Sequence, residues 1–390
     1  MDLHLTPQAL AFRDQLRTWL RANLRRPWRE ELRDPAATED SLIALRRAWQ
    51  KMLYEAGYLG MDWPAEWGGR GATEVEKSIF DAELSQADAP PILNILGIGL
   101  LGPALIHHGS EEQRRRFIPP MLAGDEIWCQ GFSEPGAGSD LASLKTSAVL
   151  DGDHFVLNGQ KVWTTFGPWA DWIFVLCRTD PKDRYGGISF VLVKLDTPGV
   201  TVRPLRQITG ESEFGEVFFE DARVPKEHLV GQVGDGWRIA MTVLAYERGA
   251  SSLAYSERYD RDLGCLAEAC RSAGRLTGAA REKIARLLVE NEVMRANGIR
   301  MLATFAEGKA PGTESSLEKI YWSEFDKRFR ETALDLLGPG GQLLRTSPGA
   351  RPDVDWAREF LWSRAGTIYS GSSEIQRNIV AKRVLGLPQA

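Results

Sequence analysis

The chain has little cysteine: four residues in 390, Cys129, Cys177, Cys265 and Cys270, with no CxxC pair and no Cys/His cluster at zinc-ligand spacing. That excludes a disulfide-stapled fold and a structural zinc site, and it fits a reducing cytoplasm. It also lacks an excess of either charge. With 48 Lys and Arg against 53 Asp and Glu, the net charge of -5 gives no bulk field to attract nucleic acid or an anionic membrane surface. No long apolar run is present. The least polar stretch, Pro90 to Ile106, contains Pro90, Pro91, Pro103, Asn94, Gly97, Gly99 and Gly102, which suits a buried, broken helix and not a membrane span. The opening residues have neither a basic region nor an apolar core, so no secretory signal is expected. Also missing are GxxxxGK[ST], HExxH, GxSxG and a strand-linked GxGxxG, which removes the commonest nucleotide-binding and hydrolytic devices.

What is present is an ordinary soluble composition, 43% hydrophobic and 26% charged, at a length that allows two to three domains. Thr6-Pro7 starts a helix carrying Phe12, Leu16, Trp19, Leu20 and Asn23 at helical spacing. Further helical patterns cover Ser41 to Ala56, Thr73 to Ala87 and Ser110 to Leu122, the last stopped by Gly124. Strand signals then take over. Phe155 to Leu157 lies between the turn signals Asp151-Gly152 and Asn158-Gly159, and Val162-Trp163-Thr164 follows, which reads as a hairpin. Trp172 to Cys177, Ile188 to Leu195, Val200 to Pro204 and Glu216 to Phe219 continue as strands. Helical period returns over Trp237 to Cys265, Thr277 to Glu307, Thr313 to Leu337 and Ser373 to Leu385, with Thr346 to Asp355 as a loop. The expected class is α+β: a helical domain over 1–125, an antiparallel β domain over 126–235 and a helical bundle over 236–390.

Chemistry-bearing candidates are few. The segment Phe132-Ser133-Glu134-Pro135-Gly136-Ala137-Gly138-Ser139-Asp140 has two glycines that let backbone N–H groups approach an anion, and two hydroxyls to hydrogen-bond it. Such a loop is more often a tight turn. His107-His108 are adjacent and point apart on a helix, so no metal site is expected. Arg114-Arg115-Arg116 reads as a solvated helix face, and the thirteen tryptophans as packing.

Taken together, Gln130 to Asp140, Asn158 to Thr165, Gly215 to Pro225, Gly231 to Trp237 and Tyr369 to Arg377 resemble, in order, segments of the acyl-CoA dehydrogenases. The resemblance implies FAD between the β domain and the C-terminal helices. It places Gln130, Phe132, Ser133, Gly138, Ser139, Trp163, Thr164, Thr165, Ser372 and Glu374 at the flavin, with Thr165 near N5 and Trp163 on the flavin face. Ser139, Arg248 and Ser370 would contact the acyl-CoA, the backbone N–H of Ser370 holding the thioester carbonyl. Many members carry their catalytic Glu between Tyr and Gly of the last segment, where this chain has Ser370. A minority, including the isovaleryl-CoA and long-chain enzymes, carry it on the first long C-terminal helix before an Arg, which here is Glu247-Arg248. Glu247 is therefore the expected base, giving trans-2-enoyl-CoA and passing electrons to an electron-transfer flavoprotein.

Two departures bear on assembly. The Arg-x-x-Phe-Gly segment of homotetrameric members has no clean equivalent in Ser256 to Gly264, and a Gln is replaced in Asp335 to Gly341. This resembles catalytic subunits of heterotetrameric enzymes acting on steroid side-chain thioesters, in which a homologous partner completes the FAD site; a homotetramer is the other arrangement. Two rivals share the fold: a flavin-dependent monooxygenase, which lacks a base Glu at either position, and a non-catalytic partner subunit, in which the Phe132 to Asp140 loop would have decayed. Steroid, dicarboxylic and branched acyl groups all remain open.

Overall fold

A computed structural model describes residues 5–34, 36–246, 252–306, 315–351 and 353–388. The first helix, α1 (Pro7–Asn23), starts where the Thr6 hydroxyl accepts the Ala9 N–H, and it buries Ala9, Phe12, Leu16 and Leu20 at intervals of three and four. Next come α2 (Arg26–Arg33), α3 (Glu39–Glu55) and α4 (Glu74–Gln86). Thr73 and Glu76 close a capping box on α4. The apolar stretch after Pro90 is a π-helical turn, Gly97–Leu101, running directly into α5 (Gly102–His108), and α6 (Glu111–Ala123) ends at the left-handed Gly124. The broken helix expected there is what forms.

Eight strands follow: β1 (Trp128–Gly131), β2 (Ser147–Asp151), β3 (His154–Thr165), β4 (Trp172–Arg178), β5 (Ile188–Lys194), β6 (Val200–Leu205), β7 (Phe214–Pro225) and β8 (Leu229–Val230). They form one sheet in the order β6-β7-β3-β2-β4-β5-β8, with β1 beside β4. Pairing is largely antiparallel, but β1 and one residue pair of β2 run parallel to β4. The β2–β3 hairpin lies between β1 and β4 in the chain, so β4 returns alongside β1 by a crossover and in the same direction.

One expectation fails. Asn158-Gly159 is not a turn, because β3 runs unbroken from His154 to Thr165. Gly159 has φ +148°, and a Cβ there would lie 2.6 Å from the Thr146 Cα, so the glycine serves a close strand approach and a register shift against β7. Asn158 and Asp221 clamp that irregularity, the Asn158 amide donating to Asp221 Oδ1 at 2.9 Å and the Asp221 N–H to Asn158 Oδ1 at 2.9 Å.

The C-terminal helices are α7 (Gly236–Tyr246), α8 (Ser252–Ser272), α9 (Gly278–Ala306), α10 (Ser315–Leu337), α11 (Trp356–Gly366) and α12 (Ser373–Ile379). The final stretch changes to a π-helical turn, Val380–Val384, and does not continue as an α-helix to Leu385. Packing gathers the chain into two compact units. Met1–Leu42, Ala72–Pro90 and Arg248–Ala390 form one, and Ile43–Gly71 with Pro91–Glu247 the other. The first is all-helical, built around Tyr259, Leu263, Leu266, Phe325, Phe329 and Trp356. The second holds the sheet, whose buried face carries Cys129, Ile173, Val175, Val191, Val193 and Val217.

Candidate functional site

The loop after β1 is anchored through its first side chain. Gln130 is half-buried and pairs with Phe174 of β4, and the buried Phe132 ring stands edge-on to Phe174 and Phe190 at 5.8 and 6.2 Å. Phe132 is thus a core residue whose backbone is what the loop offers. Beneath it lies Lys161, whose side chain is 0% exposed; its ammonium donates to the Phe132 carbonyl at 3.2 Å and to Glu134 Oε1 at 2.7 Å. The Glu134 carboxylate also accepts the N–H groups of Lys145 and Thr146 at 2.7 and 2.9 Å. A buried ammonium is tolerable only when paired and hydrogen-bonded in this way. Burial would raise the Glu134 carboxyl, but Lys161 and the added hydrogen bonds outweigh it and hold it below its ordinary value. Burial lowers the Lys161 ammonium despite Glu134.

The turn itself is closed by reciprocal backbone bonds of 3.0 Å between Glu134 and Ala137. Gly136 and Gly138 flank Ala137. Neither has a left-handed φ, and a Cβ on either would meet nothing within 4 Å. Neither backbone conformation nor packing within the chain calls for glycine there. Gly138, Ser139 and Asp140 are exposed, and Asp140 pairs with Arg184.

The loop is tied to β3 by the Val162 N–H, which donates to the Ser133 carbonyl at 3.0 Å. Directly after Val162, β3 loses register with β7 between Lys161 and Thr164. At that bulge Trp163 has φ +60° and an indole 60% exposed, with Phe214 edge-on at 6.0 Å. A large aromatic held in the left-handed region with its ring in the open is an outlier of the kind that marks a ligand face. Thr165 is half-buried opposite Phe214. Thr164 points inward: it is fully buried and its hydroxyl donates to the Gly215 carbonyl at 2.7 Å, so only its backbone remains for a ligand. Phe166 also has φ +60°, and its N–H donates to the Glu213 carbonyl at 2.7 Å.

A second group lies in the helical unit. Ser370 is exposed with φ +53° and is followed by Gly371 at φ +83°. Ser372 caps α12 by accepting the Ile375 N–H at 3.4 Å. Glu374 is exposed in the first turn of α12. Its own N–H and then the Ser372 hydroxyl lower its carboxyl, and Arg377 sits 3.6 Å away. The structure therefore gathers Gln130, Phe132, Ser133, Gly138, Ser139, Trp163, Thr164 and Thr165 in one unit, and Ser370, Ser372 and Glu374 in the other. Glu247 and Arg248 lie outside the described residues.

Glu134 and Lys161 carry no role in the sequence reading, although both fall inside quoted segments. The signal for Lys161 was its even spacing from Phe155 and Leu157 along the strand, which puts it on the same buried face. Arg114 corrects another expectation: its guanidinium donates to the Ile106 carbonyl at 3.0 Å and covers the Trp67 ring at 4.9 Å, so it pins helices together and is not a free solvated charge. His107 Nε2 lies 3.0 Å from the Tyr246 hydroxyl, and His108 Nε2 lies 2.9 Å from the Thr242 hydroxyl. Among the described residues no His, Cys, Asp and Glu group is arranged to hold a metal ion, and no helix is long and apolar enough to cross a membrane.

Comparison with known proteins covers nearly the whole chain. Residues 6–125, 129–222 and 234–385 match the acyl-CoA dehydrogenase N-terminal, middle and C-terminal domains. The acyl-CoA dehydrogenase IpdE1 of Mycobacterium tuberculosis is 46% identical over 389 residues, 97% of each chain. The mouse mitochondrial short-chain specific acyl-CoA dehydrogenase is 32% identical over 91% of this chain and 87% of its own. Among solved structures, the Tcur3481-Tcur3483 steroid ACAD superposes with a TM-score of 0.89 at 30% identity, covering 100% of both chains. The ChsE4-ChsE5 complex from Mycobacterium tuberculosis gives a TM-score of 0.84 at 28% identity over the same coverage. The chain therefore belongs to the acyl-CoA dehydrogenase family, flavoprotein oxidoreductases that dehydrogenate acyl-CoA thioesters.

Proposed function

We propose that this acyl-CoA dehydrogenase binds FAD and converts a saturated acyl-CoA to its trans-2-enoyl-CoA, with Glu247 as the base. The observation that carries the reading is the pair Gly136 and Gly138, small where nothing in the chain requires it, in a loop bonded to the strand that exposes Trp163. A group from outside the chain supplies the missing reason. When bound, FAD supplies the acceptor for the β hydride.

The chain's own residues do the rest. The α C–H of a thioester is weakly acidic, so its carbonyl has to be polarised while a carboxylate removes the proton. The backbone N–H of Ser370 holds that carbonyl, and the Glu247 carboxylate accepts the α proton. Ser139 and Arg248 line the CoA thioester. Trp163 shields the reacting face from water, Thr165 orients the flavin edge, Gln130, Phe132 and Ser133 present the loop backbone, and Ser372 and Glu374 present the start of α12. Support for a steroid-derived acyl group, and for a homologous partner chain in a heterotetramer, comes from the relatives named above and from the altered segments Ser256 to Gly264 and Asp335 to Gly341. An electron-transfer flavoprotein is the proposed downstream acceptor.

The test is to purify the chain with and without its homologous partner, record the flavin spectrum, and follow anaerobic bleaching by steroid-derived and straight-chain acyl-CoA. FAD-bound protein bleached by the steroid thioester is expected. Glu247→Gln should lower turnover by at least about a hundredfold, the usual contribution of a positioned base. Unchanged turnover in that variant would show that the base lies elsewhere.

A further inference from the structure

We infer that Gln376 is a positioning residue for this reaction, setting the direction of the Ser370 N–H toward the thioester carbonyl. The inference rests on the reading that this N–H is the carbonyl's donor. Ser370 occupies the left-handed region at φ +53°, where a residue with a Cβ is disfavoured, and Gly371 follows at φ +83°. Two successive left-handed residues on an exposed loop do not hold such a shape unaided.

Gln376 supplies the hold. It is 1% exposed, its side-chain amide donates to the Ser370 carbonyl at 3.0 Å, and its own N–H donates to the Ser372 carbonyl at 2.9 Å. The approach is close enough that a Cβ on Gly371 would lie 2.5 Å from Gln376 Nε2. The preceding residue is fixed independently: the Tyr369 N–H donates to the Ala365 carbonyl at 3.1 Å, and the Lys319 ammonium, bonded to the Gly366 carbonyl at 2.7 Å, sits 6.0 Å from the Tyr369 ring. On the far side the Ser373 N–H donates to the Thr367 carbonyl at 2.9 Å, and its hydroxyl to Glu324 at 3.2 Å. With both flanks pinned, the bond from Gln376 to the Ser370 carbonyl constrains the Ser370–Gly371 peptide, and with it the backbone angles that aim the Ser370 N–H. A donor is useful only if it is already aimed where charge develops, so Gln376 acts on catalysis through Ser370 without touching substrate.

The experiment uses purified flavin-loaded enzyme, with its partner chain where one is required. The probe is a conjugated aryl-enoyl-CoA, whose absorption band moves to the red as its thioester carbonyl is polarised. In wild type a red shift is expected on binding. Gln376→Leu, close in volume, should keep the flavin and bind the probe, yet lose most of the shift. Its kcat should fall roughly ten- to a hundredfold while KM changes far less, the mark of an interaction strengthened in the transition state. Gly371→Ala, which pushes the Gln376 amide aside and also strains a backbone at φ +83°, should show both effects; Gln376→Asn, too short to reach the Ser370 carbonyl, decides the matter if the leucine variant does not fold. A wild-type enzyme without a red shift would overturn the Ser370 reading itself. A shift in wild type that survives unchanged, with kcat, in Gln376→Leu or in Gly371→Ala would overturn the role of Gln376 alone.

Discussion

Trp163 and Lys161 sit two residues apart on β3 and meet opposite constraints. The indole is exposed on a left-handed backbone with Phe214 edge-on beside it, whereas Lys161 is fully enclosed and bonded to Glu134. Relieving the left-handed strain of a residue with a Cβ gains about 1–2 kcal/mol, and the extra chain entropy of glycine takes back about 0.5–1 kcal/mol. Trp163→Gly should therefore leave the flavin-free protein within about 1 kcal/mol of wild type while flavin retention through gel filtration drops sharply. Urea unfolding of the apo form, set beside the flavin-to-protein absorbance ratio, separates the two effects, and a large loss of apo stability would make Trp163 an ordinary packing residue. Lys161→Met, by contrast, strands the Glu134 carboxylate in the interior and should cost about 3–5 kcal/mol. Adding Glu134→Gln should restore part of that loss, because the stranded charge is then gone. Equal midpoints for the single and double variants would mean that the pair is not the source of the cost.

At the scale of elements, glycine's meaning depends on what approaches it. In β3, Gly159 lets Thr146 come close and lets the strand slip register against β7. Gly159→Ala would place a Cβ 2.6 Å from backbone at φ +148°, so a loss of more than about 1 kcal/mol is expected, and an unchanged melting curve would contradict the close approach. From sequence the same Asn-Gly pair reads as a hairpin turn, because one letter serves both uses. Elements with a plain apolar period were legible: Phe12, Leu16 and Leu20 announced α1, and the Thr6 cap formed as expected. The short α2 was not, since Arg26 to Arg33 carries one Trp and one Leu among charged residues, too few to show a period. The site followed the same division. Resemblance alone singled out Trp163, Ser133 and Ser370 as candidates, but the left-handed φ of Trp163 and Ser370, the burial of Lys161, and the bond from Gln376 back to Ser370 arise from folded geometry that no local pattern encodes.

At the scale of the whole molecule, each compact unit encloses charge, and acid should act on both. In the sheet unit it is Lys161 with Glu134; in the helical unit Arg330, with no exposed side chain, meets Asp262 at 2.8 Å, Asp326 at 3.0 Å and Glu359 at 3.5 Å, with Arg258 also on Glu359. Burial alone would raise the Glu359 carboxyl, but the charges of Arg258, Arg330 and Arg358 outweigh it and hold it at about 2. Asp326 goes the other way: although its carboxylate lies 3.0 Å from Arg330, burial raises it above the ordinary value. A carboxyl depressed by folding contributes stability above its unfolded pKa of about 4.3, and that contribution fades as pH falls toward about 2. For Glu359 the full contribution is on the order of 3 kcal/mol, and Glu134 adds to it with the same sign. Asp326 partly offsets both, because its ionised form is the disfavoured one in the fold. The expected outcome is a urea midpoint that falls between about pH 5 and pH 3. In Glu359→Gln the midpoint should be lower at pH 7, because Arg258 and Arg330 lose a buried partner, and it should change less with pH, because one titrating carboxyl is gone. Parallel midpoint curves for the two proteins across that range would show that Glu359 is not held below its unfolded pKa, and that the enclosed arginines draw their compensation from Asp262 and Asp326 instead.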